Sequence, residues 1–99
     1  MLNSGAFRVE TVTVTVAGTA TTPTTYPVPD GVEITVMAHP DNTGNIKVGT
    51  TAANAQAGAG VGNVPLAASV SAGFQLTNPN LLFIDATVSG ERAIVFFEI

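Results

Sequence analysis

The sequence contains no cysteine and no tryptophan, and it holds only one histidine and one tyrosine among its 99 residues. Without cysteine, disulfides cannot supplement the single thin core that a chain of this length forms, so we expect packing and a partner subunit to supply its stability. The same absence fits assembly in a reducing cytoplasm. One histidine leaves only carboxylates as further zinc ligands, so no zinc site is expected.

Basic side chains are also scarce, since only Arg8, Lys47 and Arg92 oppose seven acidic residues. Proteins bind phosphate backbones through clustered lysine and arginine, so the sequence predicts no nucleic-acid partner. Charged residues make up 10% of the chain, against about a quarter of a typical soluble domain. The surface is therefore expected to be rich in small polar and apolar groups, which favours packing against another protein.

Long apolar runs are missing as well. No run approaches the roughly 20 residues of a membrane-spanning helix, so no membrane partner is expected. The N-terminal residues lack the basic and hydrophobic regions of a secretion signal, which predicts no export by the general pathway. Carbohydrate-binding platforms need several exposed aromatic rings, and a sequence with no tryptophan and one tyrosine does not predict one. Tyr26 is interpreted as a half-buried anchor at a strand entry.

Short alternating apolar and polar segments, separated by turn residues about every ten positions, predict seven or eight strands and no convincing helix. Residues 8–16 give the first strand. Residues 29–31, Pro-Asp-Gly, predict a tight turn into a strand at 32–38. Residues 40–45 are expected to reverse the chain as a hairpin, and residues 93–99 to form a closing strand inside the structure. The expected fold is all-β, an antiparallel β-sandwich of the jelly-roll type.

Two segments lack a strand pattern. Residues 1–7 are expected to form an N-terminal arm that orders only against a neighbour, with Leu2 and Phe7 as its anchors. Residues 50–62 are rich in alanine and glycine, and each glycine would cost a helix about 1 kcal/mol relative to alanine. We therefore expect a flexible loop at 50–62 within a single domain that spans residues 8–99, and such loops often carry function.

Catalytic and metal-binding patterns are not indicated. No serine of the sequence lies in a nucleophile elbow, so His39 has no evident nucleophile to activate as a general base. It is interpreted as an exposed strand end. Asp30, Glu33 and Asp41 do not follow the order of a calcium loop, and aspartate is favoured at such positions by turn geometry alone. Asp85 has apolar neighbours and is expected to bond backbone amides of a nearby loop. The sequence thus predicts no enzyme, no metal and no cofactor.

Three motifs resemble those of small structural proteins of tailed bacteriophages. Val28 to Gly31 is a Val-Pro-Asp-Gly turn into a strand, and Asn42 to Gly49 is an Asn-Thr-Gly-Asn reversal followed by a Lys-Val-Gly strand. Ile84 to Glu91 reads Ile-Asp-Ala-x-Val-Ser-Gly-Glu. The resemblance covers residues 26–99. The alanine- and glycine-rich tract from Thr51 to Gly62 departs from it, because this tract is longer than the hairpin pattern needs.

This resemblance implies a virion protein of the head decoration or cement type, which binds the outside of a capsid and clamps neighbouring capsomers. Its implied partners are the major capsid protein and further copies of itself, as a homotrimer or, alternatively, a homodimer. The implied location is the capsid surface after assembly in the host cytoplasm. The residues expected to contact the capsid or a partner are Leu2, Phe7, Arg8, Ala57 and Val61.

Two other classes stay open at this point. A phage tail or fibre module that binds the host surface would also be a β-sandwich without catalytic groups. A small hydrolase that uses His39 and Asp85 is the third class.

Overall fold

The computed structural model describes residues 7–98, which form seven strands in two antiparallel sheets and one short helix. A large sheet has the order β1-β7-β2-β5, and a small sheet has the order β4-β3-β6. The all-β class and the sandwich-like arrangement of antiparallel sheets are thus confirmed, while jelly-roll connectivity stays a prediction. The elements are β1 (Phe7–Thr13), β2 (Ile34–Ala38), β3 (Ile46–Gly49), α1 (Ala52–Gln56), β4 (Val64–Leu66), β5 (Ser71–Phe74), β6 (Phe83–Ala86) and β7 (Arg92–Glu98).

The closing strand, β7, lies in the interior of the large sheet between β1 and β2. Ala93, Val95 and Phe97 are buried, while Ile94 and Phe96 are half-buried on the opposite face. This alternation follows from the two-residue period of a strand. The prediction of a closing strand inside the structure is confirmed for the described residues.

The core lies between the facing sheets. Ile34 and Val36 of the large sheet and Ile46 and Ile84 of the small sheet are completely buried. Burial of each such side chain contributes about 1.5–3 kcal/mol relative to exposure. The other buried members of this core are Val12, Val14, Val28, Val32, Ala38, Val48, Leu66, Leu82, Ala86, Ala93, Val95 and Phe97.

The predicted hairpin at residues 40–45 is wrong. Strand β2 belongs to the large sheet and β3 to the small sheet, so this segment crosses between sheets. The carbonyl of His39 accepts the N–H of Asn42 at 3.0 Å, and its Nδ1 accepts the N–H of Asp41 at 3.1 Å. These contacts leave the His39 side chain 20% exposed, so it is half-buried and not the exposed strand end that was expected. Turn residues predict a reversal, but the partner of the next strand is set by long-range contacts.

The start of the chain also differs from expectation. Phe7 does not belong to an arm, because it opens β1 and pairs with Glu98 of β7. The rest of the predicted arm, including Leu2, lies outside the described residues. Strand β1 ends at Thr13, earlier than predicted, although the N–H of Val14 still donates to the carbonyl of Glu91 at 2.9 Å.

Residues 52–56 of the predicted loop form the helix α1, so the expectation of no helix is wrong there. The Oγ1 of Thr51 accepts the N–H of Asn54 at 3.1 Å, which caps the helix N-terminus. The first glycine of the tract is Gly58, so the glycine penalty applies only after the helix has ended. Ala55 is fully buried against the small sheet, and this tertiary contact stabilises a helix too short to form alone.

A buried ion pair lies on the outer face of the small sheet, beneath α1 and the loop that follows β1. Lys47 on β3 and Asp85 on β6 are cross-strand neighbours with 3.6 Å between Nζ and Oδ2. Asp85 Oδ1 accepts the N–H of Gly18 at 2.9 Å, and Lys47 Nζ donates to the carbonyl of Ala57 at 2.8 Å. The prediction that Asp85 bonds the backbone of a nearby loop is confirmed.

Glu91 fixes the crossing segment between β2 and β3. Its carboxylate accepts the N–H and the Oγ1–H of Thr43, and the N–H of Gly44 at 3.0 Å. Burial raises the pKa of Glu91, but the hydrogen bonds from Thr43 and Gly44 lower it by more, so the pKa lies below the ordinary value of a glutamate. A Cβ at Gly44 would collide with Thr87, so only glycine fits there.

Breaking the Lys47–Asp85 pair at one end should cost more than neutralising both ends. Lys47→Met leaves a buried carboxylate without its cation, and we expect the free energy of unfolding to fall by roughly 3–5 kcal/mol. The double variant K47M/D85N keeps an oxygen for the Gly18 N–H and should recover at least half of that loss. Urea unfolding measures both. A double variant as unstable as the single one would contradict this role.

Glu91→Gln should destabilise the fold at neutral pH and matter less in acid. The folded-state pKa lies below the unfolded value of about 4.3, so the stabilisation is present above that pH and is lost as the pH falls through the folded-state pKa. The difference in free energy of unfolding between the wild type and E91Q should therefore shrink below about pH 4. Denaturant titrations across this range measure it, and a constant difference would count against the assignment.

Candidate functional site

An apolar cleft opens between residues of the two sheets, with a volume of about 390 Å³. Phe74 and Leu76, at and beyond the end of β5, form one wall. Val48 of β3 and Leu82, which precedes β6, contribute from the small sheet. The segment 60–64 adds Gly60, Gly62, Asn63 and Val64. The cleft therefore lies between the end of β5 and the segment that leads into β4.

Asn63 organises the segment between α1 and β4. Its Nδ2 donates to the carbonyls of Asn54 at 2.8 Å and Gly58 at 3.2 Å, and its Oδ1 accepts the N–H of Gly60 at 3.0 Å. Gly60 and Gly62 have φ values of +81° and +74°, a region that glycine adopts without steric cost. The border of the cleft is thus held by one side chain and two glycines.

The cleft is lined mainly by apolar side chains and glycines. None of the described residues that line it carries an ionisable side chain. Pockets for drug-sized ligands range over about 300–1,000 Å³, so this cleft has room for one or two apolar side chains or one small apolar group. Val61 and Val64, in the segment that borders the cleft, are 63% and 41% exposed and add apolar surface there.

The predicted contact residues fall into two groups on different edges of the fold. Phe7 is 64% exposed on β1, at the opposite edge of the large sheet from β5. Its neighbour Arg8 is half-buried, with its guanidinium 4.5 Å above the ring of Tyr26. Val61 lies in the segment that borders the cleft, and Ala57 is half-buried at the end of α1. The structure therefore does not bring the two groups together.

Two of the three acids considered for a metal site, Asp30 and Asp41, lie in other structural contexts. Within residues 7–98 there is no group of three or more histidine, aspartate or glutamate side chains that could hold an ion. Asp30 lies in a turn in which the N–H of Val32 donates to the carbonyl of Pro29 at 3.2 Å, so the predicted turn is confirmed. The carboxylate of Asp41 lies 3.7 Å from the guanidinium of Arg92.

Sequence reasoning missed the cleft and also an apolar strip on the outer face of the large sheet. In that strip Val9 of β1 lies opposite Phe96 of β7, and Met37 of β2 lies opposite Ile94. Val9 is 53% exposed, and the other three are half-buried. A signal for the strip was present, because residues 93–97 are apolar on both faces.

Comparisons of the chain with protein-family models, with curated proteins and with solved structures find no match. In the part of the chain that the structure describes, no helix has the length and hydrophobicity to cross a membrane.

Asn63→Ala should loosen the segment that borders the cleft without unfolding the sandwich. The substitution removes hydrogen bonds worth about 0.5–1.5 kcal/mol each, so we expect amide hydrogen exchange at Gly60 to accelerate at least about tenfold, and exchange in β7 to change far less. The matched control is Asn80→Ala, whose amide donates to Thr25 Oγ1 at 3.0 Å on an exposed surface. Unchanged exchange at Gly60 in N63A would refute this role.

Proposed function

We propose that this chain is a structural virion protein that binds the outside of a bacteriophage capsid and stabilises it by clamping neighbouring capsomers. The observation that carries the proposal is the apolar cleft with Val61 and Val64 exposed beside it. An apolar side chain from the capsid protein fills the cleft, while the two valines cover the surface around it. Such a contact requires shape and apolar area and no catalytic group.

The resembling motifs support this proposal because two of them meet in the fold. Lys47 and Asp85 pair across the strands, and Thr87 Oγ1 accepts the N–H of Asn45 at 2.9 Å. Glu91 binds the segment that contains Thr43 and Gly44. Residues 42–49 and 84–91 therefore form one hydrogen-bonded unit. Motifs that depend on each other in space are better support for a shared architecture than separate turn sequences.

The order of the strands supports a jelly-roll architecture. The N–H of Thr21 donates to the carbonyl of Ile84 at 2.9 Å, and the N–H of Ile84 donates to the carbonyl of Thr21 at 2.8 Å. Counted as a rudimentary strand, Thr21 gives the small sheet four members and leaves the first and last strands side by side in the large sheet. Double-sheet jelly rolls are a frequent architecture of viral capsid domains. The threonine-rich connection thus lies along a sheet edge.

Self-association is part of the proposal, because a clamp must contact more than one capsomer. A domain of 99 residues buries only about two thirds of the surface of its unfolded chain, and a second copy adds both buried area and a second cleft. Copies associate as a homotrimer or a homodimer in the host cytoplasm and then bind the major capsid protein.

Co-sedimentation of the purified chain with shells of the major capsid protein from the same virion tests the proposal. Val61→Asp puts a charge beside the cleft and should weaken capsid binding at least about tenfold, equal to about 1.4 kcal/mol. The matched control is Val16→Asp, at an exposed valine that follows β1 and does not line the cleft. A wild-type chain that does not sediment with shells would overturn the proposal, and density at the tail tip of the virion would favour a host-binding tail module.

A further inference from the structure

Strand β1 is an open edge of the large sheet. Within residues 7–98, only β7 pairs with it, in one uninterrupted register from Phe7 opposite Glu98 to Thr13 opposite Arg92. Proteins protect exposed edges with proline, charged side chains, bulges or short strands. This edge is seven residues long, has no proline, and carries one charge of each sign, on Arg8 and Glu10. It is therefore able to accept another strand.

Hydrogen-bond alternation shows which backbone groups of β1 are directed away from β7. The N–H of Val14 donates to the carbonyl of Glu91 at 2.9 Å, so Val14 directs its backbone groups toward the β7 side. In an antiparallel pair this orientation alternates along the strand. The backbone N–H and C=O groups of Arg8, Glu10 and Val12 are therefore directed toward β7. The backbone groups directed toward the open edge are those of Phe7, Val9, Thr11 and Thr13.

The opposite edge of the large sheet is a poorer template. Strand β5 has only four residues, and the carboxylate of Glu33 lies so close to Gly73 that an added Cβ would contact it. On β1, by contrast, Phe7 and Val9 are 64% and 53% exposed. Exposed apolar side chains thus accompany the free backbone groups on β1.

We propose that β1 pairs antiparallel with β1 of a second copy of this chain, so that the two large sheets become one continuous sheet. Residues with free backbone groups must face each other, which restricts the registers to a few. In the register that we propose, Val9 lies opposite Val9 of the other copy and Phe7 lies opposite Thr11. Arg8 of each copy then lies opposite Glu10 of the other.

Charge selects this register among the alternatives. A two-fold axis at Glu10 would place the two glutamates opposite each other, and an axis at Arg8 would place the two arginines opposite each other. Both registers are unfavourable, because like charges directly opposite each other destabilise a sheet. An axis at Thr11 pairs neither charge. The axis at Val9 forms two opposite-charge pairs at non-hydrogen-bonded positions, where opposing Cα atoms approach to about 4.5 Å.

The two charged side chains are already held in place on β1. Glu10 accepts the N–H of Thr24 at 3.0 Å and its hydroxyl at 2.8 Å. Arg8 stacks on the ring of Tyr26. Because both side chains are positioned before the second copy arrives, pairing costs less side-chain entropy than with free side chains.

The pairing selects the homodimer over the homotrimer and deepens the self-association included in the proposed function. It does not depend on capsid binding, because the purified chain alone should dimerise. The cleft between β4 and β5 stays open in this dimer, since it lies away from β1. Each dimer therefore presents two clefts.

A charge-swap experiment tests the pairing by analytical ultracentrifugation of the purified full chain. Arg8→Glu alone places carboxylates opposite each other, and Glu10→Arg alone places guanidinium groups opposite each other, so each variant should dimerise at least about tenfold more weakly than the wild type. Mixed in equal amounts, the two variants should form a heterodimer, because every opposing pair then carries opposite charges. General damage to the fold would not be rescued by mixing.

Proline substitutions test the backbone pairing separately. Val9→Pro removes an N–H at the two-fold axis, which an edge strand tolerates, and should give a folded monomer by circular dichroism and ultracentrifugation. Ser71→Pro, on the free side of β5, is the matched control and should stay dimeric. A monomeric or trimeric wild type, a V9P dimer, or a mixture of R8E and E10R that stays monomeric would each overturn the pairing. Loss of capsid binding by an intact dimer would instead overturn only the proposed function.

Discussion

The buried contact between Lys47 and Asp85 joins the small sheet to the two segments that cover it, the loop after β1 and the end of α1. Moving two charges out of water costs several kcal/mol per ion unless hydrogen bonds satisfy both groups. The Gly18 N–H and the Ala57 carbonyl meet part of this need. The loop after β1 and the end of α1 must therefore cover the small sheet. Because α1 ends at that contact, the pair also sets where the segment that borders the cleft begins.

Features that depend on neighbouring residues could be predicted from the sequence, and features that depend on distant partners could not. The strand at β7 and the turn at Asp30 were predictable because alternation and turn chemistry are local. The crossing at residues 40–45 was not, because its turn residues look the same whether the next strand pairs with β2 or joins the other sheet. The helix α1 was missed because the glycines that argued against a helix lie beyond its end, and because the burial of Ala55 and the Thr51 cap that stabilise it are not visible in the local pattern. The cleft is made by residues far apart in the chain, so no motif could reveal it.

Most of the few charged side chains of the chain have partners within the domain. All three basic side chains have partners: Lys47 is buried with Asp85, Arg8 lies on Tyr26, and the Arg92 guanidinium is near Asp41. Among the acids, Glu91 holds the crossing segment and Glu10 binds Thr24. Charges engaged in this way do little to protect the surface against association. The exposed apolar groups on β1 and beside the cleft are therefore available for protein partners.

The proposed self-association and the proposed capsid binding require two separate surfaces on one small domain. If a second copy and a capsid protein competed for one edge, occupation by either would exclude the other. Here β1 and β5 are the opposite edges of the same sheet, and the cleft is built on the β5 side. The proposed pairing through β1 would leave both clefts of a dimer accessible, on the edges of the joined sheet that lie away from the two-fold axis. Two contacts linked through one continuous sheet bind more tightly than either alone when their spacing matches that of neighbouring capsomers. In the proposed assembly, the open edge of β1, which would be a liability in an isolated monomer, would join two weak contacts into a clamp.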